Sequence, residues 1–128
     1  MTNGNGASDD IFFSGVSALS LAYLGDAVYE LLVRDSLVRV KNCPHKCLHK
    51  RALEFVAAPK QADAVRIITP ALTQEEERVY KRGRNTKVGS IPHRATAEEY
   101  HNATGLETLF GYLYSKGRND RISGRIVF

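Results

Sequence analysis

Two carboxylates, far apart in the chain, stand where an apolar side chain would be ordinary. Asp26 is the first acid in the apolar segment Ala18-Leu-Ser-Leu-Ala-Tyr-Leu-Gly-Asp-Ala-Val-Tyr-Glu-Leu-Leu-Val33. Glu30 follows one helical turn later on the same stripe. Glu107 falls between Leu106 and Leu109, beside a stripe of Leu106, Leu109, Phe110 and Leu113, with Thr104 one turn before it. A charged carboxylate in such surroundings costs several kcal/mol unless something compensates it. A divalent cation would compensate both, because it takes hard oxygen ligands from separate rigid elements. Plainer readings stay open on the residues alone: Asp26 held by a buried arginine or by backbone donors, and Glu107 at a helix margin in water.

A second group could bind phosphate. Lys81-Arg-Gly-Arg-Asn-Thr-Lys-Val-Gly-Ser90 reads as a basic, glycine-containing loop, with Arg94 further on. Lys81, Arg82, Arg84, Asn85 and Lys87, with backbone donors at Gly83 and Gly89, suit a polyanion's backbone and give affinity with little sequence choice. A solvated loop is the alternative. Asn42-Cys-Pro-His-Lys-Cys-Leu-His49 suggests zinc, but on a helix His45 and His49 lie about 200° round the axis from Cys43 and Cys47. Pro44 suits a first helical position, so this segment is read as a helix start rather than a metal site or a disulfide.

The elements that must carry these groups are helical nearly throughout. The spacing predicts helices over about Val16–Val40, His45–Ala57, Lys60–Ile68, Gln74–Lys81 and from Thr96 to about Ser115. Leu48, Ala52, Leu53, Phe55 and Val56 are expected to face inward on the second, and Ala62, Val65 and Ile68 on the third. Thr73-Gln-Glu-Glu76 and Thr96-Ala-Glu-Glu99 are capping boxes. Thr69-Pro70 and Pro92 break helices. Gly25 inside the first helix implies close approach of another backbone. No strand alternation or internal repeat is visible, so the fold class is all-α: a lead-in over 1–15, expected to be flexible, then one domain over 16–128. The 128 residues carry a net charge of +4, with 25% charged and 43% hydrophobic side chains. That is ordinary for a globular domain and mildly favours a polyanionic partner. No apolar run is long enough to span a membrane, and no leader pattern opens the sequence, so a cytoplasmic location is expected.

Several blocks then coincide. Leu21-Ala-Tyr-Leu-Gly-Asp-Ala-Val-Tyr-Glu30 resembles the signature helix of ribonuclease III domains. Leu48-His-Lys, Ala57-Ala-Pro-Lys-Gln-Ala62, Tyr80-Lys-Arg-Gly-Arg-Asn-Thr-Lys87 and Ala103-Thr-Gly-Leu-Glu-Thr-Leu-Phe-Gly-Tyr-Leu-Tyr114 look like further blocks of that family, in order. Together they resemble the short branch, Mini-ribonuclease III, which carries the catalytic domain without a double-stranded-RNA-binding domain. The resemblance implies a homodimeric helical bundle and an endoribonuclease that cleaves double-stranded RNA with Mg²⁺, acting on precursor 23S ribosomal RNA. It implies that Asp26 and Glu107 are the catalytic metal ligands. Glu30 and Thr104 would stand behind them or at the dimer contact, and Lys81, Arg82, Arg84, Asn85 and Lys87 would hold RNA. Places where relatives carry further acids hold Leu19, Ala22 and Thr104 here, which leaves the number of metal ions open. The alternatives are a non-catalytic RNA-binding or ribosome-associated scaffold of the same fold, and an all-α adaptor.

Overall fold

Helix α5, Ala97–Ser115, is the element on which the first, third and fourth helices pack, while the second lies against the first. The computed structural model describes residues 15–39, 44–86 and 96–117, without the side chains of Phe55, Ala58 and Pro59. Within them α1 spans Ala18–Arg39, α2 His45–Val56, α3 Ala58–Ile68 and α4 Gln74–Arg84, with a 3₁₀ turn at Thr69–Ala71 before α4. The lead-in over 1–14, Cys43, and the basic segment from Lys87 through Arg94 lie outside the described residues.

Local chemistry sets the helix ends. The Ser17 hydroxyl accepts from the Ser20 N–H at 3.0 Å at the start of α1. Both predicted capping boxes form: Thr73 with Glu76, and Thr96 with Glu99, each by reciprocal bonds of 3.0–3.1 Å. α3 begins two residues before the sequence suggests, because Pro59 sits in its first turn, where a missing N–H costs nothing. α4 runs one turn further than expected. Arg82, Gly83 and Arg84 are therefore helical, with Asn85 as the C-cap. This corrects the reading of Lys81–Arg84 as loop and of Gly83 as a loop backbone donor. Cations in the last turn of α4 complement its dipole.

The core joins Leu21, Val28, Tyr29, Val33 and Leu37 of α1 to Leu106, Leu109, Phe110 and Leu113 of α5, closed by Val79 and Tyr80 of α4 and Val65 and Ile68 of α3. The Tyr29 and Phe110 rings pack tilted at 41°, with centroids 5.8 Å apart. Polar ties fix the register of α4 on α5: the Tyr80 hydroxyl donates to Asn102 at 2.9 Å, and Lys116 reaches Glu75 at 3.0 Å. On α2, Ala52 is buried and Leu48 partly so as expected, but Leu53 is 54% exposed. Its apolar stripe is narrower than the sequence suggests.

α1 and α5 cross at glycines. A Cβ built on Gly25 would overlap the Glu107 carbonyl, and one on Gly111 would overlap the Leu21 carbonyl, so each helix lies on the other's bare backbone. Gly83 makes room instead for the Thr108 side chain, at the level of α5 that carries Glu107. Gly25→Ala must push α1 off α5 and is expected to destabilise the protein by about 3 kcal/mol or more in chemical denaturation. Gly15→Ala, which enters open space, should change little. A Gly25→Ala protein as stable as wild type would rule out the close crossing.

Candidate active site

The glycine crossing decides which side chains meet. Gly25 lies against the turn of α5 that begins at Glu107, so the neighbouring Asp26 faces the Glu107 side chain. The two carboxyls are close enough for Asp26 to raise the proton affinity of Glu107 through both its charge and a shared hydrogen. The two groups singled out in the sequence, 81 positions apart, are thus brought together. Their environments differ from expectation in one respect. Asp26 lies on the exposed side of α1, whereas Glu107 is mostly enclosed. The burial penalty anticipated for Asp26 therefore falls on Glu107.

Burial pushes the Glu107 carboxyl up to about 8, and the charge of Asp26 with the hydrogen bond between them adds to that rise. A hydrogen bond from Gln61 works the other way. Two carboxyls this close hold a proton between them unless a cation replaces it. Tyr29 is pushed up to about 12, first by burial and then by Glu107, so its hydroxyl stays protonated.

Gln61 of α3 closes the site from the other side. It is 2% exposed, and its Nε2 donates to the Val56 carbonyl at 2.9 Å and to Glu107 Oε2 at 3.4 Å. The sequence reading missed this residue, although a signal was present. Gln61 precedes Val65 by four and Ile68 by seven, so it continues the apolar stripe of α3 as an amide.

The remaining predicted residues are placed as follows. Glu30 pairs with Arg34 along the surface of α1 at 2.5 Å. Thr104 is buried and donates to the Tyr100 carbonyl at 3.0 Å. Lys81 pairs with Glu77 at 2.8 Å. Arg84 lies over the Tyr80 ring, 5.8 Å from its centroid, and donates to Asn85 at 3.3 Å. Arg82 is exposed, and Lys87 lies outside the described residues. Among the described residues, no group of three or more His, Cys, Asp or Glu side chains could hold a metal ion, and Cys47 is an exposed free thiol. No described helix is long and apolar enough to cross a membrane.

The chain is similar to known proteins. Residues 19–118 match the Ribonuclease III domain family. The Mini-ribonuclease 3 of Thermoanaerobacter sp. (strain X514) is 42% identical over 107 residues, covering 84% of this chain and 75% of that protein. The Mini-ribonuclease 3 of Symbiobacterium thermophilum is 45% identical over 105 residues, covering 82% and 81%. A Fusobacterium nucleatum protein of known crystal structure superposes with a TM-score of 0.77 at 31% identity, over 85% of this chain and 87% of that one. The signature helix, its glycine crossing and the facing acids thus belong to a chain that is a member of the ribonuclease III family of endoribonucleases, alongside the Mini-ribonuclease 3 proteins.

Proposed function

We propose that the chain cleaves double-stranded RNA with Mg²⁺ held by Asp26 and Glu107. The observation that carries this reading is the Asp26–Glu107 contact, in which a largely enclosed carboxyl is held up to about 8 beside a second acid. The donor set fits a hard dication: two carboxylates from separate helices, with the buried, unpartnered Gln61 Oε1 on the amide that bonds Glu107. Bound there, Mg²⁺ would supply charge neutralisation at the phosphate and a water of lowered pKa. The chain's own residues have distinct tasks. Asp26, open to solvent, is where a phosphodiester backbone can approach. Glu107 is fixed by its burial and by Gln61. The cationic last turn of α4, with Lys81, Arg82, Arg84 and Asn85, and Lys87 beyond it, holds phosphates. The shallow minor groove of A-form RNA gives such a surface shape rather than sequence to read.

The working unit in this proposal is a homodimer. Leu19, Tyr23, Leu31 and Val38 of α1 are 43–85% exposed, an apolar face that a second copy would cover about a two-fold axis. Two equivalent sites then cut the two strands at staggered positions. Precursor 23S ribosomal RNA, met in the cytoplasm, is the proposed substrate, and its unprocessed form should accumulate when the protein is depleted.

The enclosed Glu107 sets a pH dependence in the metal-free protein. Glu107 binds its proton more tightly folded (about 8) than unfolded (4.5). Its contribution is therefore complete below about 4.5 and is lost as pH rises through 8. In EDTA, wild type should lose about 3 kcal/mol more than Glu107→Gln between about pH 5.5 and pH 8, and saturating Mg²⁺ should remove the difference. Parallel curves for the two proteins in EDTA would contradict this. Incubation with duplex RNA tests the activity itself. Wild type in Mg²⁺ should leave staggered ends, EDTA should stop it, and Asp26→Asn or Glu107→Gln should lower the rate by a factor on the order of 10³ or more with helicity intact. Wild-type rates in either variant would refute the assignment, and blunt or single-strand cuts would refute the paired-site geometry.

A further inference from the structure

The Gln61 side chain has one polar atom that the fold leaves unused. Its Nε2 is committed to the Val56 carbonyl and Glu107 Oε2. Its Oε1 is buried and has no hydrogen-bond partner among the described residues. A buried amide oxygen without a donor costs on the order of 1–3 kcal/mol, and an apolar residue on the α3 stripe would avoid that cost. The orphan oxygen also lies on the same terminal amide that grips Glu107. It is therefore beside the acid pair and not in a remote part of the core.

From this geometry we infer that Gln61 is a positioning residue of the metal site, with Nε2 orienting the Glu107 carboxylate and Oε1 accepting a hydrogen bond from the hydration shell of the cation. The inference rests on the reading of Asp26 and Glu107 as metal ligands. It gives the site a third oxygen group, drawn from α3. Groups that hydrogen-bond a metal's ligands commonly change its affinity 10–100-fold when removed. A cation with only two protein carboxylates keeps several waters, and each needs acceptors in a partly enclosed site.

Mn²⁺ binding to the full-length protein, followed by electron paramagnetic resonance and calorimetry without RNA, tests this apart from catalysis. Gln61→Leu removes both functions of the amide and should weaken Mn²⁺ binding about tenfold or more. Gln61→Glu loses the donor that orients Glu107 but puts a third carboxylate at the site, whose charge attracts the cation and offsets that loss. It should lower the melting temperature of the metal-free protein yet bind Mn²⁺ at least as tightly as wild type. Wild-type affinity in Gln61→Leu overturns the inference. So does an equal loss in both variants, which would make Gln61 only a brace between α3 and α5. If Gln61→Leu does not fold, Gln61→Glu decides alone, and a tenfold loss there overturns the inference. Asp26→Asn separates this outcome from the underlying reading: Mn²⁺ binding unchanged in that variant removes the metal site itself, whatever Gln61 does.

Discussion

Two helices that touch through glycine bring two acids closer than their charges tolerate. At the crossing of α1 and α5, Gly25 and Gly111 offer no side chain, so each backbone lies against the other's carbonyls. That approach puts Asp26 against Glu107. The core then prevents retreat: Leu21, Val28 and Tyr29 on one helix and Leu106, Leu109 and Phe110 on the other are buried in one cluster. The repulsion is thus held in place by apolar packing several residues long. Only a proton or a cation relieves it, and the proton held by Glu107 marks where positive charge is missing.

The burial is unequal, and the inequality suits the proposed chemistry. Asp26 opens to solvent on the flank of α1, while Glu107 is enclosed beside Gln61 and Tyr29. One ligand meets the incoming phosphate and the other is fixed before it arrives. Fixing a charged group in advance avoids reorganisation at the moment of reaction. The same turn of α5 that carries Glu107 also receives Gly83 of α4, so the cationic end of α4 is referenced to the same stretch of backbone as the acids.

Much of this was legible in the sequence because it was written as exceptions. An acid inside an apolar helix, a glycine beside it, and a second acid on another helix's stripe are each locally unfavourable, and together they point to one place. Capping boxes and prolines give the helix ends to within a few residues for the same reason: they act through local bonds. Other features depend on tertiary contact. That Asp26 faces solvent and Glu107 does not follows from how far α1 rotates on α5, since α1 is apolar on nearly every face. Arg82 and Arg84 continue α4 because Gly83 docks on Thr108, a contact between residues 25 apart. Gln61 was visible as a polar residue on an apolar stripe, but its neighbour Glu107 lies 46 positions away.

The most direct measurement is a crystal structure grown or soaked with Mn²⁺, with the ion located by its anomalous scattering. The crossing and its trapped charge predict a peak bridging Asp26 and Glu107, within about 2.3 Å of a carboxylate oxygen of each. Saturating Mn²⁺ that leaves the two carboxyls sharing their proton, with the ion absent or bound elsewhere, would contradict it.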